Sequence, residues 1–163
     1  MDTKIKSVEI LPLVKYDMEE LELARLFDKF VPNHNGAEIA PAQVLCMMIM
    51  HIMVSTTPLY RIEDWLHDYV DGVSEGRVEA GKYNDDRLER TLDRLFAAER
   101  NNLLAELSAQ AIVVHQLETQ TIHNDSTNMT FFGAYACDDP KAAKMTRGYY
   151  KDHHLDASRS CLA

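Results

Sequence analysis

The sequence contains little cysteine, and its cysteines are not arranged as metal or disulfide pairs. Cys46, Cys137 and Cys161 are odd in number and show no C-x-x-C spacing. A disulfide framework or a structural zinc site is therefore not expected. A glycine-rich phosphate loop, a G-x-S-x-G nucleophile elbow and a catalytic-cysteine signature are also absent from the sequence. The sequence therefore gives no indication of a P-loop nucleotide-binding enzyme, an α/β-hydrolase or an enzyme with a cysteine nucleophile.

A long apolar run is missing as well. Residues 1–7 lack the apolar core of a signal peptide. The longest apolar stretch, residues 37–54, is interrupted by Glu38, Gln43 and His51 and is short for a membrane span. We therefore expect a cytoplasmic protein without a membrane partner.

The sequence also lacks an excess of positive charge. The formal net charge is −9, which argues against a protein coated in positive charge for nucleic-acid binding. The charge is uneven, because residues 139–163 carry a net charge of +2 and the remaining residues carry −11. If the protein contacts DNA, the C-terminal stretch is the favoured contact, and the rest of the chain would need local positive patches.

Apolar residues at helical spacing predict helices from about residue 12 to residue 116. Pro12, Pro41 and Pro58 stand where a first helical turn tolerates proline, and Asn84 or Asp85 is a suitable N-cap. Residues 37–70 are compatible with a helix-turn-helix. The helical spacing predicts three stripes of apolar residues that face the core: Leu13, Met18, Leu21, Leu23, Leu26 and Phe27; Leu88, Leu92, Leu95 and Phe96; and Leu103, Leu104, Leu107, Ala111 and Val114.

Residues 121–132 are rich in β-branched and aromatic side chains and are predicted to form a strand that carries Asp125. The hydrophobic period changes near Glu118. This change places a domain boundary there, with a helical domain at 1–118 and a second domain at 119–163. The predicted fold is mainly α with a small β part.

Asp125 is the strongest candidate for a catalytic, metal-binding carboxylate. Two-metal phosphoryl transfer requires carboxylates that converge on a pair of divalent ions, and a strand places a carboxylate rigidly. The structural alternative is an aspartate that caps a turn or pairs with Lys151. A metal hydrolase built from His123, Asp125, His153 and His154 is a further possibility, since imidazole and carboxylate suit zinc, iron or manganese.

The basic C-terminal stretch, residues 139–163, could instead bind a phosphate backbone, because it combines positive charge with aromatic side chains that can stack on bases. Its candidate DNA-binding residues are Arg147, Tyr149, Lys151 and His153.

Six segments in order resemble the N-terminal part of bacterial insertion-sequence transposases of the DDE type, whose helical region is catalogued as a domain of unknown function. They are LPLVK (11–15), NGAEIAPAQVL (35–45), PLYRIEDW (58–65), YNDDRL (83–88), IHNDST (122–127) and GYYKDH (148–153). The resemblance implies a ribonuclease-H-like catalytic domain that begins in the second domain. It also implies Asp125 as the first of three acidic ligands of Mg²⁺ or Mn²⁺, and transposon-end DNA as a partner.

After His153 the sequence departs from the family pattern, and the second and third acidic residues are missing. We therefore expect a truncated transposase with an incomplete ribonuclease-H-like sheet, no catalysis of its own and no stably bound metal. Two alternatives stay open. One is a helical interaction or DNA-binding module that self-associates or inhibits a full-length transposase, and the other is the small His/Asp metal hydrolase.

Overall fold

Helices account for most of the chain that the computed structural model describes, which is residues 10–33, 36–69, 79–121, 129–131 and 158–160. The chain divides into two compact units, Met1–Glu118 and Thr119–Ala163. The helices of the first unit are α1 (Leu11–Glu20), α2 (Leu23–Phe30), α3 (Pro41–Val54), α4 (Ile62–Tyr69), α5 (Asp85–Ala97) and α6 (Arg100–Val114). Short 3-10 turns at Leu59–Arg61 and Ala80–Lys82 precede α4 and α5.

The third helix, α3, forms the centre of the first unit. It starts with Pro41, as predicted, because proline suits a helical position where no backbone N–H is needed. Both α1 and α2 pack against it, and α2 also packs against α6. The buried side chains of α3 are Pro41, Ala42, Val44, Leu45, Met47, Met48, Met50 and His51. Among the described residues, no single helix has the length and apolar content needed to cross a membrane.

The predicted helix starts are confirmed near Pro12, Pro41, Pro58 and Asn84. The helical run expected between Leu13 and Phe27, however, is broken into α1 and α2. Glu22, at the break, adopts a left-handed conformation with φ of 45°, which a residue with a side chain rarely adopts. The break lets α2 change direction and pack against two other helices.

The expected burial is wrong at three leucines. Leu13 on α1, Leu92 on α5 and Leu104 on α6 are exposed, whereas Leu88 and Leu103 are buried. Helical spacing defines a face but not its width, so residues at the margin of an apolar stripe can remain in solvent.

The incomplete ribonuclease-H-like sheet is not supported, and the prediction of a β part in that form is wrong. The strands that the structure describes are only β1 (Met129–Phe131) and β2 (Ser158–Ser160), which pair antiparallel with Met129 opposite Ser160. In the described residues the sheet consists of these two strands, and an isolated two-stranded pair is only marginally stable. The rest of the expected strand, including Asp125, lies outside the described residues.

Asn84 is the N-cap of α5, and its side chain supports the helix start. Asn84 Oδ1 accepts a hydrogen bond from the backbone N–H of Arg87 at 3.0 Å. We predict that Asn84→Ala lowers the free energy of unfolding by about 1 kcal/mol, because this N–H loses its partner. Urea denaturation followed by circular dichroism measures the change. Asn84→Asp should keep most of the stability, and an equal loss in both variants would contradict the capping role.

Candidate functional site

Three arginines lie along one side of α5. Arg87, Arg90 and Arg94 are spaced at i, i+3 and i+7, so they fall within about 60° of one another around a helix of 3.6 residues per turn. Leu88, which is buried in the core, lies on a different side of the helix, about 100° around from Arg87. A surface with aligned cations therefore exists within a unit that is acidic as a whole.

This side of α5 forms one wall of a cavity of about 280 Å³. The other wall is the segment before α3, from Gly36 to Ile39, together with Pro41. Gly36 has φ of +94°, a conformation that favours glycine, so the turn that forms this wall depends on the absence of a side chain. Asn84, Asp86 and Thr91 complete the lining with the three arginines.

The arginines differ in how far their charge is already neutralised. Arg87 Nη2 lies 3.1 Å from Glu38 Oε2, and Arg90 Nη2 lies 2.6 Å from Asp86 Oδ2. Arg94 makes no ion pair with another described residue. Three guanidinium groups against two carboxylates leave the cavity lining with a local charge of +1.

Arg87 and Arg90 are also placed differently with respect to solvent. The side chain of Arg87 is 26% exposed, and its Nε is buried without a hydrogen-bond partner in the described part of the chain. The side chain of Arg90 is 70% exposed, and within the described part of the chain its one ion pair is with Asp86, one turn away on the same helix. Such pairs contribute little stability, so Arg90 can exchange Asp86 for an incoming anion at small cost.

The corner between α3 and α4 has the shape of a helix-turn-helix. The helical segments Pro41–Val54 and Leu59–His67 are bent by 108° across a four-residue break, which is within the range of that motif. The second segment lacks the cations that a recognition helix needs, however. Its arginine, Arg61, is bound to Asp64 at 3.0 Å, and Glu63 adds a further negative charge.

A buried histidine lies inside this corner. The ring of His51 meets Trp65 edge-on at 5.2 Å between centroids, and its Nε2 lies 3.0 Å from Thr57 Oγ1. Burial lowers the pKa of His51 below its ordinary value of 6.5. This histidine belongs to the core and joins α3 to the loop before α4.

The candidate site residues predicted from the sequence fall outside the described residues, so the structure does not show whether they come together. They are His123, Asp125, Arg147, Tyr149, Lys151, His153 and His154. The sequence analysis does not include the arginine side of α5, because leucine spacing indicates only the buried face of a helix. The signal for it in the sequence is the i, i+3 and i+7 spacing of the three arginines.

The family model described as "Domain of unknown function (DUF4277)" matches residues 3–109. The chain belongs to this family. The DUF4277 match includes α1 to α5 and most of α6, and thus both walls of the arginine-lined cavity. The comparisons with curated proteins and with solved structures gave no match.

Proposed function

We propose that the DUF4277 region of this chain is a DNA-contacting module derived from a DDE-type insertion-sequence transposase. The observation that supports the proposal is the alignment of Arg87, Arg90 and Arg94 beside an open cavity. The resemblance of six ordered segments to the N-terminal part of such transposases supports the assignment of the DNA to transposon ends. Catalysis by this chain is not part of the proposal.

Arginine suits a phosphate backbone for a geometric reason. Its planar guanidinium presents paired N–H donors that match two phosphate oxygens, and it stays charged at any physiological pH. Arg87 and Arg94 are separated by about 10 Å along the helix, because each residue rises 1.5 Å. The three side chains can therefore follow one strand of a duplex over more than one phosphate.

The lining favours the DNA backbone over the base edges. Glu38 and Asp86 stand beside the arginines and repel phosphates at the margins, which restricts the contact to a narrow track. Backbone contacts position a protein on DNA and carry no sequence information by themselves. Selection of transposon ends would then require other parts of the protein.

Arg90 and Arg94 provide the test, because Arg90 is exposed and Arg94 makes no ion pair with another described residue. In the double variant Arg90→Gln with Arg94→Gln, we expect the affinity for a labelled duplex to fall roughly tenfold or more. The slope of log K against log salt should decrease by about 2, one unit for each lost phosphate contact. Fluorescence anisotropy at several salt concentrations measures both quantities.

A matched control removes two arginines elsewhere. Arg25 on α2 and Arg61 before α4 are exposed and engaged in local ion pairs, so Arg25→Gln with Arg61→Gln changes the net charge equally. The control should retain the affinity and salt slope of the parent chain. Equal losses in both double variants, or no salt-dependent binding by the parent, would refute the proposed contact.

A further inference from the structure

The side of α6 that faces away from the core is exposed and largely apolar. Leu103 is buried and Leu107 packs against the core, whereas Leu104, Ile112 and Val113 are 58%, 39% and 75% exposed. A helix that is apolar around its circumference is normally covered on all sides. The described residues cover only one side of α6. We define the outer face of α6 by six of its exposed residues, Leu104, Ala105, Ser108, Ala109, Ile112 and Val113; the polar Asn101 and Asn102 are also exposed, in the first turn of the helix.

The outer face carries no Lys, Arg, Asp or Glu. The two charged residues of α6 lie off this face: Arg100 stacks on Phe96, and Glu106 is paired with Lys29 at 2.6 Å. The face has no cation that could bind the phosphates of DNA. It also has no charged side chain that could form an ion pair with a charged protein partner. A membrane surface would require flanking basic or aromatic residues, which the face also lacks.

The outer face of one α6 helix is complementary in side-chain size to the outer face of a second α6 helix that runs antiparallel to it. A two-fold axis between Ser108 and Ala109 places these two residues opposite each other in the two copies. The same axis places Ala105 of each copy opposite Ile112 of the other, so that a large side chain meets a small one in both halves of the pair. This pairing of a patch with itself is what a two-fold symmetric interface requires.

We propose that a second copy of this chain covers the outer face of α6, with the two α6 helices packed antiparallel. Two chains of net charge −9 repel each other, so they can approach closely only through surfaces without like charges. The outer face of α6 meets this condition, and its small residues let the two helices come near each other. The proposal is independent of the DNA contact, which uses α5.

The small size of the surface argues against a permanent dimer. A helix of 15 residues is about 22 Å long. One face of such a helix is small beside the interfaces of permanent dimers. We therefore expect a reversible dimer whose fraction rises with protein concentration, over roughly 10–500 µM.

Sedimentation velocity of the full chain at increasing concentration tests the association. The parent chain should shift from monomer to dimer. Ala105→Glu should weaken the dimer at least tenfold, because each new carboxylate would be buried against Ile112 of the other copy without a partner. Ala105 is exposed, so circular dichroism should show an unchanged fold. Leu13→Glu, at an exposed leucine of α1, is the matched control and should behave as the parent.

A second substitution tests the antiparallel register. Adding Ile112→Lys to Ala105→Glu places opposite charges face to face in both halves of the dimer, so dimerisation should recover. A parallel arrangement would place like charges together and give no recovery. A parent chain that stays monomeric at every concentration would overturn the proposal, as would a dimer that Ala105→Glu leaves unchanged. Failure of the charge pair to restore the dimer would overturn the antiparallel register.

Discussion

Leu26→Ala should lower the free energy of unfolding of the helical unit by about 2–5 kcal/mol. Leu26 is fully buried on α2, the helix that packs against both α3 and α6. The substitution removes the apolar contacts of the side chain and leaves a cavity that helices held from two sides cannot close easily. Because domains of this size are stable by only about 5–15 kcal/mol, the loss is a large fraction of the total. Urea denaturation followed by circular dichroism measures it.

Leu13→Ala is the matched control for this prediction. Leu13 belongs to the same predicted stripe in the sequence, yet it is exposed on α1. Its replacement should change the free energy of unfolding by no more than about 0.5 kcal/mol. If Leu26→Ala and Leu13→Ala had equal effects, the packing of α2 between α3 and α6 would be wrong.

Helix starts could be predicted from the sequence because they depend on local chemistry. Pro41 lacks a backbone N–H that a first turn does not need, and the side chain of Asn84 accepts from an N–H that the helix leaves free. Both effects act within four residues. They are therefore visible in the order of amino acids without knowledge of the fold.

The break between α1 and α2 depends on distant contacts and could not be predicted in this way. Nothing in the local sequence favours a left-handed backbone at Glu22, and helical spacing continues across it. The packing of α2 against α3 and α6 fixes the direction of the chain there. Packing also decides which leucine of the pair Leu103 and Leu104 is buried, since α6 is apolar on more than one side.

The β prediction failed for a related reason. β-branched and aromatic residues fit a pleated surface, but a strand also needs a neighbour with which to pair. In the described part of residues 121–132, only Met129–Phe131 has one, the short segment Ser158–Ser160. Residue preference alone could not show whether enough partners exist for a sheet.

The arginine side of α5 could be predicted in part. The spacing of Arg87, Arg90 and Arg94 is present in the sequence, and a helix was predicted there. The opposite wall of the cavity could not be predicted from the local sequence. Glu38 contacts Arg87 across 49 positions in the sequence, and only the folded chain brings these two together.

The stability of the helical unit should fall as the pH drops below about 6.5, and His51 should contribute to the loss. Burial holds the pKa of this imidazole below its ordinary value of 6.5, so the folded protein keeps it neutral where the unfolded chain binds a proton. Above pH 6.5 His51 is neutral in both states and its contribution is fully present. Between pH 6.5 and the lower pKa of the folded state, proton uptake by the unfolded chain favours unfolding.

His51→Gln isolates this contribution, because glutamine can still bond to Thr57 but does not titrate. Its nitrogen can take the place of Nε2, which lies 3.0 Å from Thr57 Oγ1, although the edge-on contact with Trp65 is lost. The variant should be less stable than the parent at pH 8, yet lose less stability between pH 8 and pH 5.5. Urea denaturation of the parent and of His51→Gln at a series of pH values measures the two profiles. If His51→Gln lost stability as steeply as the parent, neutral burial of His51 would not be a source of the pH dependence.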